Sequence, residues 1–302
     1  MNYTFETVTC NLCESDKSSF ITDKGKYGLP LNVVLCEECG LGYLNPRWDA
    51  ASYGSFYEND YDKYYRPNIL SKKKKVSSSI NPVTQRFKLY NQKNSNPKSI
   101  LDIGSGAGKN LGELSNQYKC SSLFAIEPSR ASQKILEQNN VVVISNDVDS
   151  NWEVNYENRF DIIIMRHVLE HFLDPSAILN KVNKVLSDEG ILYLAVPNCL
   201  NPVQNLEKSW FRNVHTFYFN KYTLENFFNK SNLKILTMME GDEYNNGEIY
   251  LFAEKALCSI PLNIKKEHYT EQLKVYNERF EYDKSPINAM IRRLKSFKKA
   301  IT

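Results

Sequence analysis

The sequence of 302 residues lacks long apolar runs and lacks a dominant charge of one sign. No apolar run approaches the roughly 18 residues that a membrane-spanning helix needs, so no span is predicted. Residues 1–9 lack the basic region and apolar core of a secretory leader, and we therefore expect a cytoplasmic protein. With 38 basic and 35 acidic residues the net charge is only +3, which does not favour nucleic acid as a partner.

Cysteine is scarce, and the seven cysteines do not suggest a secreted disulfide framework, because three of them are scattered singly. The other four form two Cys-x-x-Cys pairs, Cys10 with Cys13 and Cys36 with Cys39. Each pair predicts a tight turn that directs both sulfurs to one metal ion. Four thiolates complete a tetrahedral zinc site and leave no open position for a substrate, so we expect a structural zinc ribbon over residues 1–47.

One glycine is missing from the most informative segment, residues 99–108, where an apolar strand ends at Asp102 and enters a glycine-rich turn. A dinucleotide-binding turn has the spacing Gly-x-Gly-x-x-Gly, but counting from Gly104 places Lys109 where the third glycine belongs. The spacing therefore excludes NAD. The turn still allows a ligand to approach the backbone, and a predicted helix over Lys109 to Tyr118 directs its free N–H groups there. This combination indicates a nucleoside-bearing cofactor.

Strands and helices alternate after this turn, as in an α/β fold with a parallel sheet. The fourth strand, Phe160 to Met165, is continuously apolar, which is typical of a strand buried on both faces. The last two strands are separated only by a turn region, so we expect them to pair antiparallel. The other predicted elements are strands at Leu123 to Ile126, Val141 to Ile144, Gly190 to Val196, Leu233 to Met239 and Glu248 to Glu254, and a helix at Ser176 to Leu186.

The acid Asp102 and the turn Gly104-x-Gly106-x-Gly108 resemble the first motif of class I S-adenosylmethionine (SAM) methyltransferases. The segment His167-x-x-Glu170-His171, after the fourth strand, is similar to the corresponding segment of a large group of these enzymes. The resemblance covers about residues 96–255. It implies SAM as the cofactor and a Rossmann-like α/β sheet of seven strands in which the last strand is antiparallel.

The run from Val33 to Arg47, with Cys36-x-x-Cys39-Gly40 and then Asn45-Pro46, resembles zinc ribbons that precede the SAM domain in a set of bacterial methyltransferases. Several members of that set modify sugars or other small metabolites. The resemblance therefore implies methylation of a small polar metabolite, with a nucleotide-linked or surface-polysaccharide sugar as first choice. Two alternatives stay open: methylation of RNA or protein with the ribbon as recognition module, and a non-catalytic SAM-binding scaffold.

Glu127 ends the second strand about twenty residues past the glycines, where doubly wound folds place the acid that binds ribose hydroxyls. Its alternative role is an acid at the N-terminus of the next helix. For Asp147, after the third strand, the resemblance implies a contact with the adenine amino group, and an Asx turn is the alternative. The other candidate cofactor-binding residues are Asp102, Gly104, Ser105, Gly106, Gly108, Pro128, Val148 and Arg166.

Histidine is rare, and three of the four histidines fall in segments that should face the transferred methyl group: His167, His171 and His215. Because histidine accepts protons near neutral pH, these three are the catalytic candidates, and His215 is favoured as the base. The resemblance implies for His171 an alternative role in bracing its loop. A helical turn would place His167, Glu170 and His171 on one face, where with His215 they could bind a divalent metal. The sequence leaves this second possibility open.

Residues 48–95 are predicted to form a linker in which a tyrosine-rich segment, 52–65, precedes the basic run Lys72 to Lys75. We expect the tyrosines to pack over the mouth of the cofactor site as a lid, with a domain-packing surface as the alternative. The methyltransferase domain is placed at 96–256 and a helical basic tail at 257–302. The tail carries an apolar stripe that consists of Ile287, Met290, Ile291, Leu294 and Phe297. This stripe favours docking of the tail on the body of the protein or on a partner subunit over contact with an anionic membrane.

Overall fold

The computed structural model describes residues 3–65, 80–90, 96–286 and 288. The basic run Lys72 to Lys75 and the apolar stripe of the tail lie outside these residues. In the first part of the chain the strands are β1 (Phe5–Glu6), β2 (Ser18–Thr22), β3 (Val33–Cys36), β4 (Gly42–Leu44) and β5 (Arg47–Trp48). The helices of this part are α1 (Ala50–Asn59), α2 (Tyr61–Tyr65) and α3 (Pro82–Leu89).

The second part alternates strands and helices. Its strands are β6 (Ser99–Ile103), β7 (Ser122–Ile126), β8 (Val142–Ser145), β9 (Phe160–Arg166), β10 (Leu186–Pro197), β11 (Phe217–Tyr218), β12 (Leu233–Glu240) and β13 (Glu248–Lys255). Its helices are α4 (Lys109–Tyr118), α5 (Arg130–Gln138), α6 (Pro175–Val185), α7 (Lys221–Lys230) and α8 (Lys266–Lys284). The helix predicted after the glycine-rich turn begins and ends where α4 does.

A seven-stranded sheet forms the centre of the fold, in the order β12-β13-β10-β9-β6-β7-β8. β6 to β10 run parallel, and β13 pairs antiparallel with both β10 and β12. This arrangement confirms the predicted Rossmann-like sheet with an antiparallel last strand. The chain order reverses between β6 and β9, and ligands of such sheets bind at the carboxyl ends of the strands at that point.

The fifth parallel strand is longer than predicted. β10 begins at Leu186, not at Gly190, because Leu186 pairs with Phe160 before an irregularity in the register shifts the pairing to Ile191 and Ile162. Gly190 lies in the irregular part, where a Cβ atom would come within 2.8 Å of the Phe160 carbonyl oxygen. The close approach of the Phe160 backbone therefore explains why position 190 is a glycine, although this glycine does not mark the start of the strand as predicted.

The cysteine-rich segment is part of a second sheet of four strands, in the order β11-β4-β3-β2. β11 comes from the region after β10, and Phe217 pairs with Tyr43 of β4. Just before this pair, the Leu44 N–H group donates a hydrogen bond of 3.0 Å to the Thr216 carbonyl oxygen. No residue pattern in the sequence predicts this pairing. The consequence is that residues 216–218, next to His215, are held by the sheet of the N-terminal segment.

Helix α8 packs against the same sheet. Gln272 is fully buried, accepts a hydrogen bond from the Asn220 side chain and donates one of 2.9 Å to the Cys199 carbonyl oxygen. At Gly40, where φ is +73°, a Cβ atom would lie 2.7 Å from the His268 carbonyl group. The turn of the second cysteine pair therefore fits under the start of α8 only because it carries a glycine.

The tyrosine-rich segment forms α1 and α2, which pack on the N-terminal sheet residues. Trp48, Tyr53, Phe56 and Val214 are buried together, and Tyr61, Tyr64 and Tyr65 pack against them. Tyr53 and Tyr65 also donate hydrogen bonds to the carbonyl oxygen and the side chain of Asn213. Among the residues that the structure describes, no helix is long and apolar enough to cross a membrane.

Candidate functional site

The glycine-rich turn has positive φ at all three glycines: +73° at Gly104, +56° at Gly106 and +77° at Gly108. A Cβ atom at Gly104 would lie 2.3 Å from Val168, and one at Gly108 would lie 2.7 Å from Leu136. At Gly106 a Cβ atom would meet nothing within 4 Å. Two of the glycines are therefore explained by packing, and Gly106 is the one that offers open space to a ligand.

Glu127 lies directly beside this turn, at the end of β7, and is 3% exposed. Its Oε2 accepts a 2.8 Å hydrogen bond from the Gly106 N–H group, and its Oε1 accepts one of 2.9 Å from the Ser129 N–H group. Each carboxylate oxygen has a further lone pair that can accept a ligand hydroxyl. The structure thus brings together the turn and the acid that the sequence singled out separately.

Asp102 ends β6 behind the turn and is almost completely buried. Burial raises the pKa of this carboxyl group to about 8, and the charge of Glu127 adds to the effect, while the hydrogen bond from Asn110 and the charge of Arg166 oppose it. The group therefore takes up a proton on folding, because its ordinary pKa is near 3.8.

This pKa predicts a pH-dependent cost to stability. The stability that Asp102 contributes is fully present below about pH 4 and is lost as the pH rises toward its folded pKa of about 8. We expect the Asp102→Asn variant of the SAM-free chain to melt roughly 2–8 °C above the parent at pH 8.5, and the difference to shrink at pH 5. Thermal unfolding at the two pH values measures this. If the difference in melting temperature between variant and parent were the same at pH 5 and pH 8.5, the raised pKa of Asp102 would be contradicted.

Asp147 is exposed after β8, and its Oδ1 accepts a 2.9 Å hydrogen bond from the Asp149 N–H group. This is the Asx turn that the sequence left open as its alternative role. The carbonyl oxygen of Val148 accepts hydrogen bonds from Trp152 and Lys181. The contact of Asp147 with adenine stays a prediction.

Of the other cofactor candidates, the Ser105 hydroxyl contacts the Gly106 carbonyl oxygen at 3.4 Å, and Pro128 is exposed beside Glu127.

The segment after β9 is not a helical face. His167 has a φ of +54°, and only Leu169–His171 form a single 3-10 turn. The expectation that His167, Glu170 and His171 share one face is therefore wrong. His167 instead turns toward β13, where its Nε2 lies 2.8 Å from Oε2 of Glu248.

His167 lies between two carboxylates, since its Nδ1 is also 3.6 Å from Oε1 of Glu170. Burial alone would lower the pKa of His167, but Glu170 and Glu248 outweigh it and raise the pKa to about 9. Arg166, the other candidate here, lies 3.9 Å from Glu248. A ring held as a cation by two acids is a poorer candidate for a base than His215.

The sequence does not reveal that Glu248 orients His167, or that a buried arginine holds Glu248 in place. Arg86 on α3 is fully buried, donates to Glu248 and Tyr193, and forms two hydrogen bonds of 2.7 and 2.8 Å with Asp242. Its guanidinium carbon lies 3.8 Å from the ring centre of Tyr250. No local pattern could reveal this network, because its members are brought together only by the docking of α3 on the sheet.

His171 and His215 face each other, with ring centres 4.8 Å apart and planes at 86°. Nδ1 of His171 donates a 2.8 Å hydrogen bond to the Val214 carbonyl oxygen, and the Tyr57 hydroxyl lies 3.2 Å from the same nitrogen. Burial lowers the pKa of His171 and lowers that of His215 well below its ordinary value. Both rings are therefore neutral near pH 7.

A cavity of about 400 Å³ opens at the carboxyl ends of β9 and β10. The three candidate histidines line it, together with Glu170 and Arg212. Tyr61 and Tyr65 of α2 close one side, so the tyrosine-rich segment both packs on the N-terminal sheet and borders this cavity. The cavity has a mixed polar and apolar lining and lies at the edge of the sheet where ligands of this architecture bind.

The four cysteines of the N-terminal pairs meet at one point. All four sulfurs lie within 4.8 Å of one another, with Cys10 and Cys39 at 3.5 Å and Cys13 and Cys36 at 3.5 Å. A disulfide has its sulfurs about 2.05 Å apart, whereas zinc–sulfur bonds of about 2.3 Å place them about 3.8 Å apart in a tetrahedron. The donor set and its spacing fit a zinc ion.

The fold, the turn with its acid and the cavity at the strand ends define a class I SAM methyltransferase. The model of the methyltransferase-domain family matches residues 74–238, more than half of the chain, and the chain belongs to this family. It is a SAM-dependent methyltransferase. A search of curated proteins finds no match.

Solved structures share the fold. The Burkholderia thailandensis 1,6-didemethyltoxoflavin-N1-methyltransferase, bound to 1,6-didemethyltoxoflavin and S-adenosylhomocysteine, has a TM-score of 0.54 and 13% identity, covering 78% of this chain and 100% of its own. A SAM-dependent methyltransferase from Clostridium acetobutylicum has a TM-score of 0.46 and 14% identity, covering 68% of this chain and 99% of its own. At 13% identity the likeness to the Burkholderia enzyme shows the fold alone.

Proposed function

We propose that this enzyme methylates a small polar metabolite, and that a nucleotide-linked or surface-polysaccharide sugar is the acceptor class. The observation that carries the proposal is the cavity of about 400 Å³ at the carboxyl ends of β9 and β10. Its volume is typical of sites for small molecules. Its lining of imidazoles, a carboxylate, a guanidinium and tyrosine hydroxyls suits a polar acceptor. The toxoflavin enzyme, whose name states a small-molecule acceptor, supports a small molecule as the acceptor and does not distinguish a sugar from other metabolites.

The placement of the N-terminal segment speaks against its use as a recognition module for RNA or protein. Helix α8 covers the turn at Gly40, and Lys230 of α7 donates hydrogen bonds to the carbonyl oxygens of Asn11 and Leu12 beside the first cysteine pair. Both metal-binding turns therefore have partners within the chain. We propose that the four cysteines hold a structural zinc ion. We also propose that divisions near residues 47, 95 and 256 separate the zinc ribbon, the linker, the methyltransferase domain and the tail.

For the cofactor, we propose that Glu127 accepts hydrogen bonds from the ribose hydroxyls, at the open side of Gly106. SAM supplies an activated methyl group on a sulfonium. The adenine end of SAM is bordered by Asp147 and Val148. The turn and its surroundings are shaped by the remaining candidates: Asp102, Ser105, Gly108, Pro128 and Arg166. Gly106 is the position at which a side chain would fill the open space.

For the acceptor, we propose that His215, His171 and His167 act from the cavity wall. His167 is fixed by Glu248 and presents a positive charge, whereas His171 and His215 present neutral nitrogens. The loop that carries His215 also contains buried Trp210 and Phe211, which exclude water from the acceptor. These groups align the acceptor nucleophile and lower the cost of removing its proton.

We expect Glu127→Ala to weaken SAM binding by about 10-fold or more, because a charge-assisted hydrogen bond contributes about 1.5–3 kcal/mol. Glu137→Ala is the matched control, since Glu137 is exposed on α5. Calorimetric titration of both variants measures the effect, with NAD as a second ligand of the parent. Equal SAM affinity in parent and Glu127→Ala, or tighter binding of NAD than of SAM, would contradict the assigned site.

The acceptor class is tested by measuring S-adenosylhomocysteine formation with separate panels of nucleotide-linked sugars, structured RNA and unfolded peptides. We expect turnover with a member of the sugar panel and none above background with the polymers. Turnover with RNA or peptide alone would replace the small-molecule proposal. Tight SAM binding with no turnover in any panel would favour the non-catalytic scaffold.

A further inference from the structure

Within the described part of the chain, a buried carboxylate in the acceptor cavity has one charged neighbour, His167, and no hydrogen-bond partner. Glu170 is 1% exposed, and among the residues that the structure describes neither of its carboxylate oxygens has a hydrogen-bond partner. Nδ1 of His167 is 3.6 Å from Oε1, too far for a hydrogen bond. His167 offsets part of the charge, but a buried carboxylate without hydrogen bonds or a direct ligand is still costly. Glu170 lines the cavity, so the missing partner can enter from there.

Two imidazoles stand beside this carboxylate. One carboxylate oxygen of Glu170 and one ring nitrogen each of His171 and His215 all lie within 4.8 Å of one another. The carbonyl oxygen of Val214 can only accept, so Nδ1 of His171 carries the hydrogen of their bond and Nε2 keeps its lone pair. A histidine fixed in this way by a backbone carbonyl is the usual arrangement of a metal ligand.

We propose that Glu170, His171 and His215 bind a divalent cation in the acceptor cavity. Two imidazoles and one carboxylate suit first-row divalent metals and leave several coordination positions open. Metal–ligand bonds of about 2.0–2.3 Å would draw the three groups slightly together. The open positions face the cavity, and they would take an oxygen atom of the acceptor. With the cation bound, His215 acts as a ligand and orients the acceptor through the cation, in place of accepting the acceptor proton directly.

This assignment is independent of the cysteine site. The four cysteine sulfurs suit zinc, whereas Mn²⁺ prefers oxygen and nitrogen donors and binds thiolate sites weakly. Mn²⁺ is therefore the appropriate probe for the zinc-loaded full chain. The site also excludes His167, whose Nε2 is occupied by Glu248.

The test is a titration of the zinc-loaded chain with Mn²⁺, in which free Mn²⁺ is followed by electron paramagnetic resonance. We expect one Mn²⁺ per chain, and an affinity at least about 10-fold weaker in Glu170→Gln and in His215→Ala. Glu240→Gln is the matched control, because Glu240 pairs with Lys221 away from the cavity. Thermal unfolding and zinc content of each variant show whether it is folded.

Absence of Mn²⁺ binding by the parent, or equal affinity in the parent and in folded Glu170→Gln, would overturn the proposal. The acceptor role of the cation rests on the proposed function, but Mn²⁺ binding does not. A parent that binds SAM and transfers methyl groups without Mn²⁺ binding refutes only the cation site. A parent that binds Mn²⁺ but not SAM refutes the proposed function and leaves the cation site standing.

Discussion

Replacement of His215 by alanine should lower the rate of methyl transfer by about 10²–10⁴-fold while the affinity for SAM changes little. The reason is that His215 lines the acceptor cavity beside His171 and Glu170, whereas the glycine-rich turn and Glu127 lie at a different edge of the site. An effect on the transition state alone leaves cofactor binding intact. Single-turnover transfer and SAM titration of the same variant separate the two quantities.

The fourth histidine provides the control for this variant. His268 stacks on Tyr222 at the start of α8 and lies outside the cavity, so His268→Ala should keep a near-normal transfer rate. If His215→Ala transferred methyl groups at the parent rate, His215 would be a packing residue of its loop. The acceptor would then have to be activated by other groups of the cavity.

Replacement of Cys36 by serine should remove the zinc ion and strongly reduce methyl transfer. Zinc binding by four cysteines contributes about 10–16 kcal/mol in small domains, so the ribbon should unfold locally when a ligand is lost. Because β4 holds Thr216 and β11 next to His215, we expect transfer to fall well before SAM binding does. Metal analysis, thermal unfolding, transfer and SAM titration together measure this outcome.

Cys258→Ser is the matched control, since Cys258 is exposed and away from the cluster. It should retain one zinc ion per chain and the parent rate. A parent protein without zinc and with four alkylatable cysteines in its native state would refute the structural site. Full transfer by a zinc-free Cys36→Ser variant would show that the ribbon does not support the acceptor loop.

The cofactor side of the site could be predicted from the sequence because its signals are local. The turn at Gly104 to Gly108 and the acid Glu127 each follow a strand, and the parallel sheet brings the ends of such strands together. The cysteine cluster was predictable for the same reason, since each pair lies within one turn. The spacing did not reveal that Gly104 and Gly108 are required by packing against Val168 and Leu136.

The acceptor side could be predicted only in part. The three histidines were identified by their rarity and position, but the partner of His167 is Glu248, at the start of β13. The positive φ of His167 redirects its ring, and no residue pattern signals that conformation. The pairing of Phe217 with Tyr43 was missed because a strand of two residues has no detectable alternation.

The most direct test is a crystal structure of the zinc-loaded chain with S-adenosylhomocysteine. We expect the ribose hydroxyls within hydrogen-bond distance of the Glu127 carboxylate and the nucleoside on the open side of Gly106. We expect the sulfur to be directed toward the cavity of Glu170, His171 and His215. A nucleoside bound elsewhere on the sheet, or a sulfur that faces away from this cavity, would contradict this arrangement.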